Sequence, residues 1–205
     1  MKRSKTTAIK ISFFGILMLL ALAVSHSYLS FAAIAAASIH EVSHIALARL
    51  LGTRLSSMRL GIFGASLSMD SHTTSYKNEI LIALAGPLAN LTSAIIILLF
   101  VSELSAFTEM FLAASIFLGL LNLLPISDFD GGRILFCIIA IKSSLHLAST
   151  VLKLTSFFFV FSLWTLSVYL ILRLGASLSL FVFSASVFCT HQRLHRLPGQ
   201  EHHRR

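Results

Sequence analysis

The chain has 205 residues, of which 56% are hydrophobic and only 12% charged, against about 25% charged in an average soluble domain. A mean hydropathy of +0.87 and repeated apolar runs of membrane-crossing length leave little sequence for a separate soluble domain. The formal charge of +8 excludes no partner by itself, but the basic residues sit between apolar runs and in two short tails, without the aromatic interleaving of a nucleic-acid surface.

Residues 1–10 (MKRSKTTAIK) are basic and precede the apolar run Ile11–Val24, as in a secretory signal peptide. A small-residue cleavage site near Ala32–Ala37 would fall inside the next apolar span, so the run reads as a retained first helix with its N-terminus in the cytoplasm. A second span, about Tyr28–Leu51, holds the small residues Ala32–Ser38, which let helices approach closely in lipid. The same span carries His40, Glu41 and His44. Ionisable groups are costly in such a span and by default mark function.

Residues 52–78 form the longest non-spanning stretch. Alternation at Leu60 and Ile62, then Leu67 and Met69, predicts two short strands around Gly64. At membrane depth such a hairpin must be buried in protein or line a wet cavity, which places it beside the site. A third span, Glu79–Val101, contains Ala85-Gly86-Pro87-Leu88-Ala89-Asn90. A fourth, Met110–Leu124, meets Pro125, which ends or kinks it. Then come Ser127-Asp128-Phe129-Asp130-Gly131-Gly132-Arg133 and a short apolar stretch to Ile141. Spans at Leu152–Leu172 and Ala176–Cys189 precede the basic tail His191–Arg205.

The fold class expected is an all-α membrane protein, a polytopic bundle of about six transmembrane helices with a short membrane-associated β-hairpin. It forms one domain over residues 1–205, with a core at 28–141, C-terminal spans at 152–190 and a tail at 191–205. An even number of spans puts both termini on one side. Cytoplasmic termini keep fifteen of the sixteen Lys and Arg residues inside, leaving only Arg173 opposite, in line with the positive-inside tendency.

His40-Glu41-Val42-Ser43-His44 is an HExxH sequence. On a helix, positions i and i+4 share a face about 6 Å apart, so both imidazoles reach one zinc ion. Glu41, one residue after the first ligand, is close enough to take a proton from a water whose pKa zinc lowers toward about 7. A catalytic zinc uses three protein ligands and keeps one position open. Asp128 and Asp130 are the only acidic residues between Glu109 and Glu201, and the glycines after them allow close backbone approach. DFDGG is equally good turn chemistry, and spacing alone does not choose between the two aspartates.

HEVSH in one membrane helix, AGPLAN in the next, and Asn122-Leu123-Leu124-Pro125 followed by Asp130-Gly131-Gly132 together resemble the site-2 protease family. The likeness runs from about residue 28 to 140 and is greatest to the stage IV sporulation FB type, whose motif helix is also the second span. It implies an intramembrane zinc endopeptidase with one zinc per chain, held by His40, His44 and Asp130. It also implies Glu41 as the catalytic carboxylate and Asn122 as the residue that orients substrate or stabilises the oxyanion. The implied partners are a membrane-tethered protein substrate, the bilayer, and an inhibitory or regulatory membrane protein, with no nucleic acid. Through the hairpin, an extended substrate segment could add to a strand edge. The chain departs from the pattern at Phe129, where the family commonly has Leu. It also departs in lacking, on this reading, the nucleotide-sensing domain that follows the last span of many sporulation FB members.

Two readings from other classes compete: a catalytically inactive membrane binding protein of the same fold, and a metal transporter. The intact Glu41 argues against the first, and the lack of an internal repeat against the second. Cys137 and Cys189 lie in apolar segments without ligand spacing and read as small buried hydrophobes. His26, His72, His146 and the tail histidines carry no motif; the tail reads as a basic segment at the membrane surface.

Overall fold

A computed structural model describes residues 8–11, 28–53, 55–61, 64–69 and 75–175, with residues 181, 182, 185 and 187. The first expected span beyond Ile11, most of the last, and the basic tail lie outside the described residues, as do His26, His72 and Cys189. The chain divides into two compact units, Met1–Leu123 and Leu124–Arg205.

Three mutually packed helices build the first unit: α1 (Tyr28–Leu50), α2 (Tyr76–Phe100) and α3 (Ala106–Asn122). Lipid tails are as apolar as leucine, so close packing rather than water exclusion holds such helices together. The alanine run serves that end. Ala32 and Ala36 are fully buried and form a cluster with Phe111 of α3, flanked by Ile39, Ile97 and Leu118. On the other contact, a Cβ at Gly119 would lie 2.9 Å from the Leu91 side chain and 3.2 Å from the Pro87 carbonyl oxygen. Only glycine lets α3 sit that near α2.

The helix ends follow local chemistry. Ser75 and Ser105 cap α2 and α3 by accepting from the N–H groups of Asn78 (3.3 Å) and Thr108 (3.2 Å). Gly52, with φ of 65°, closes α1. The Thr53 N–H donates to the Ala48 carbonyl at 2.9 Å and the Gly52 N–H to Arg49 at 3.0 Å, the two bonds of a Schellman cap. Helix α3 stops at Asn122, before Leu124, whose helical conformation Pro125 disfavours.

Among the described residues the unit also holds a small sheet, in the order β1 (Ala8–Ile11), β2 (Leu55–Gly61), β3 (Gly64–Met69). Strands β2 and β3 run antiparallel with Gly61 opposite Gly64, and the register slips between Leu55 and Ser57. Strand β1 lies parallel to β2, Ala8 opposite Ser57 and Ile11 opposite Leu60. That strand corrects the expectation for Ala8–Ile11. Its residues were assigned to a basic leader and the start of a span, because four residues are too few to show a strand's alternation and their partner lies far along the chain.

In the second unit, α4 (Asp130–Lys142) packs on α5 (Leu145–Leu174). The stretch to Ile141 is thus a 13-residue helix, and at about 20 Å of rise it is too short to cross a bilayer alone. The loop before it is held at two points. A Cβ at Gly132 would approach the Ile126 carbonyl carbon to 2.6 Å, so glycine is required there. The Ser127 N–H donates to Ser156 Oγ of α5 at 2.9 Å, and the two hydroxyls lie 2.9 Å apart. Ser144 caps α5 and Gly175, at φ 59°, ends it.

Among the described residues three helices are long and apolar enough to cross a membrane: Ser30–Leu50, Tyr76–Phe100 and Leu145–Arg173. Large apolar side chains such as Leu99, Phe100, Phe158 and Leu172 project outward from them, a surface that suits lipid and not water. The protein is a membrane protein. Cys137 is buried as a small hydrophobe, whereas Trp164 and Tyr169 are exposed on α5.

Candidate metal centre

His40 and His44 stand one turn apart on α1, 5% and 3% exposed. Their rings meet edge to face with centroids 4.7 Å apart, and each offers a ring nitrogen within 4.8 Å of the other's. Glu41 follows on the same helix and is half-buried.

What surrounds the imidazoles comes from α2. Ile82, Gly86 and Asn90 recur every four residues and so share one face. The Ile82 carbonyl lies 2.6 Å from His44 Nδ1. A carbonyl only accepts, so Nδ1 carries the proton and donates, which leaves the Nε2 lone pair available. Pro87, inside α2, has no N–H for the Ala83 carbonyl and loosens the helix on this turn. At Gly86 the space is the finding: a Cβ there would lie 2.7 Å from His40 Nε2 and nearer still to His44 Nε2. Both Nε2 atoms therefore converge on a spot that only glycine leaves open. Two buried imidazoles presenting Nε2 side by side fit a borderline-soft divalent cation such as zinc.

Gly86→Ala tests that reading. Alanine is the better helix residue by roughly 0.8–1.0 kcal/mol, so the fold should persist. The imidazoles must move, and bound zinc is expected to fall at least tenfold. Metal content beside thermal unfolding separates the two effects, and an alanine variant with full zinc would reject the cradle.

Asp130 opens α4 in the second unit and is 8% exposed. Its neighbour at the helix N-cap, Phe129, makes no side-chain cap hydrogen bond, and Asp130 is the acidic residue of the helix's first turn, where a negative charge is favoured. Arg133 Nη1 lies 3.8 Å from its Oδ1. Asp128 differs: its side chain is exposed, although protein crowding it removes enough water to raise its carboxyl above the ordinary value. Asn122 ends α3, and its Nδ2 donates to the Leu118 carbonyl at 3.0 Å. An amide nitrogen carries two hydrogens, so one bond to the helix leaves the group able to donate again. His146 is exposed at the start of α5.

Sequence reasoning assigned no part to Ile82, Gly86, Asn90 or the Ser127–Ser156 link. The first acts through its backbone, which no side-chain pattern reports. Gly86 and Asn90 sat inside the quoted AGPLAN motif at helical spacing, and that spacing was the available signal.

The model of peptidase family M50 matches residues 28–106 and 100–166, more than half the chain. The chain belongs to peptidase family M50. That match agrees with the resemblance to the site-2 proteases carried by the motifs. Stage IV sporulation protein FB of Bacillus subtilis (strain 168) is 35% identical over 102 residues, 48% of this M50 chain and 35% of that protein. The alignment thus spans about a third of the curated relative's length. A solved structure, the site-2 protease from Methanocaldococcus jannaschii, matches with a TM-score of 0.65 at 20% identity, covering 100% of this chain and 98% of that one. The M50 chain shares its fold.

Proposed function

We propose that this protein is a zinc-dependent intramembrane endopeptidase that hydrolyses a peptide bond in or near a transmembrane segment of a membrane-tethered protein. The observation that carries this reading is the convergence of the His40 and His44 Nε2 atoms at Gly86 on membrane helices in a chain of an M50 peptidase family. His40, His44 and Asp130 are the proposed ligands of one zinc. When bound, zinc would supply Lewis acidity and a lowered water pKa.

The chain's own residues then divide the work. Glu41 takes a proton from the attacking water and returns it to the leaving amine. The Asn122 amide donates to the substrate carbonyl, where negative charge develops. A helical substrate must unwind first, because its backbone groups are engaged within the helix. His44 precedes Arg49 by five residues, about 7.5 Å of helix rise, so the cut is reached from the cytoplasmic half. With both termini cytoplasmic, the released product is cytoplasmic, and a membrane-tethered transcription factor is the substrate class to test. This is regulated proteolysis, open to an inhibitory membrane partner.

Purified in detergent, the protein is expected to carry about one zinc per chain. Cleavage of a membrane-tethered substrate should stop with 1,10-phenanthroline and return on adding zinc. Undiminished cutting by metal-stripped protein would reject the proposal.

A further inference from the structure

Asn90 is fully buried in α2, and its Nδ2 lies 3.4 Å from His40 Nδ1. Its Oδ1 is buried and has no hydrogen-bond partner. Rotating the side-chain amide by half a turn exchanges its two ends, placing the oxygen against Nδ1 and the NH2 group where the oxygen was.

The two orientations have opposite consequences for the ring. With Nδ2 inward, the amide donates to Nδ1, so the ring proton sits on Nε2 and blocks it. With Oδ1 inward, the amide accepts from Nδ1–H and the Nε2 lone pair is exposed. The Nε2 atom is the one beside Gly86 and beside the Nε2 of His44. His44 is already set in this way by the Ile82 carbonyl.

We infer that Asn90 is a positioning residue: its Oδ1 accepts from His40 Nδ1–H, holding the tautomer and ring orientation that aim Nε2 at a metal ion. The inference rests on the zinc reading above and extends it to a residue that touches neither metal nor substrate. Helix α2 then sets both imidazoles, by a backbone carbonyl at position 82 and a side-chain oxygen two turns later.

The test uses the full chain and zinc alone, comparing Asn90→Leu with Asn90→Asp. Both keep the shape; only Asp keeps an acceptor facing Nδ1. Zinc affinity is read by chelator competition, and the cobalt-substituted spectrum reports the geometry. The Leu variant is expected to lose about 10–100-fold in affinity, the usual cost of removing a ligand's hydrogen-bond partner. The Asp variant should bind at least as tightly as the native chain, with an unchanged cobalt spectrum. Native affinity in Asn90→Leu, or an affinity below native in Asn90→Asp, overturns the inference. If Asn90→Leu fails to fold, the Asp arm decides by the same criterion, an affinity below native overturning it. A native chain that binds no zinc would defeat the metalloprotease reading first, and this inference with it.

Discussion

Glu41→Gln is expected to slow proteolysis by about 10²–10⁴-fold while zinc remains at native stoichiometry. Glutamine has the same length and shape, and position 41 is only half-buried, so neither fold nor ligand set should respond. The amide cannot accept the proton that a carboxylate takes from water, and the step that makes a nucleophile is lost. A membrane-tethered substrate co-expressed with each form gives the readout, the fragment present with the native chain and absent with the variant. The same variant separates functional classes. A transporter would still move metal and an inactive binder would behave identically in both forms. A variant that cuts at the native rate would remove Glu41 from the mechanism.

Asp130→Ala should release the metal. On a purely structural view, Asp130 is a carboxylate at the start of α4 with Arg133 one turn on. Losing the helix-terminal charge costs about 0.3–1 kcal/mol, and a pair at that spacing adds about 0.3–0.5 kcal/mol. Stability would then drop slightly and zinc would stay. As one of three ligands, its loss should lower zinc affinity by more than the roughly 10–100-fold that a ligand's hydrogen-bond partner is worth. Cleavage should vanish with the metal. Asp128→Ala is the control and should retain zinc, since the motif resemblance assigns the ligand to the aspartate directly before Gly131. Were the two variants to exchange behaviour, the ligand would be Asp128. If neither lost zinc, the third ligand would lie elsewhere.

How much was legible beforehand follows from the range of each interaction. Apolar runs report spans, and α1 and α2 coincide closely with the runs that mark them, whereas α5 begins at Leu145, seven residues before the expected start at Leu152. Boundaries moved where local chemistry acted: Ser105 caps α3 at Ala106, four residues before the apolar run at Met110. Helix α4 was hidden because a 13-residue apolar segment is ambiguous in type. Strand β1 was hidden because its pairing with β2 is made across an intervening helix.

By itself the sequence determined that the chain enters a membrane and that His40 and His44 share a helix face, and its motif order carried the resemblance to the site-2 proteases. The first two are consequences of composition and local geometry, which need no knowledge of distant neighbours. Only the tertiary structure decided which nitrogens face inward. Ile82 lies 38 residues from His44 and Asn90 lies 50 residues from His40, and no periodicity along one helix encodes what another helix presents to it. Packing of α2 against α1 brings a carbonyl, a missing side chain and an amide to the two rings, and hydrogen-bond polarity does the rest.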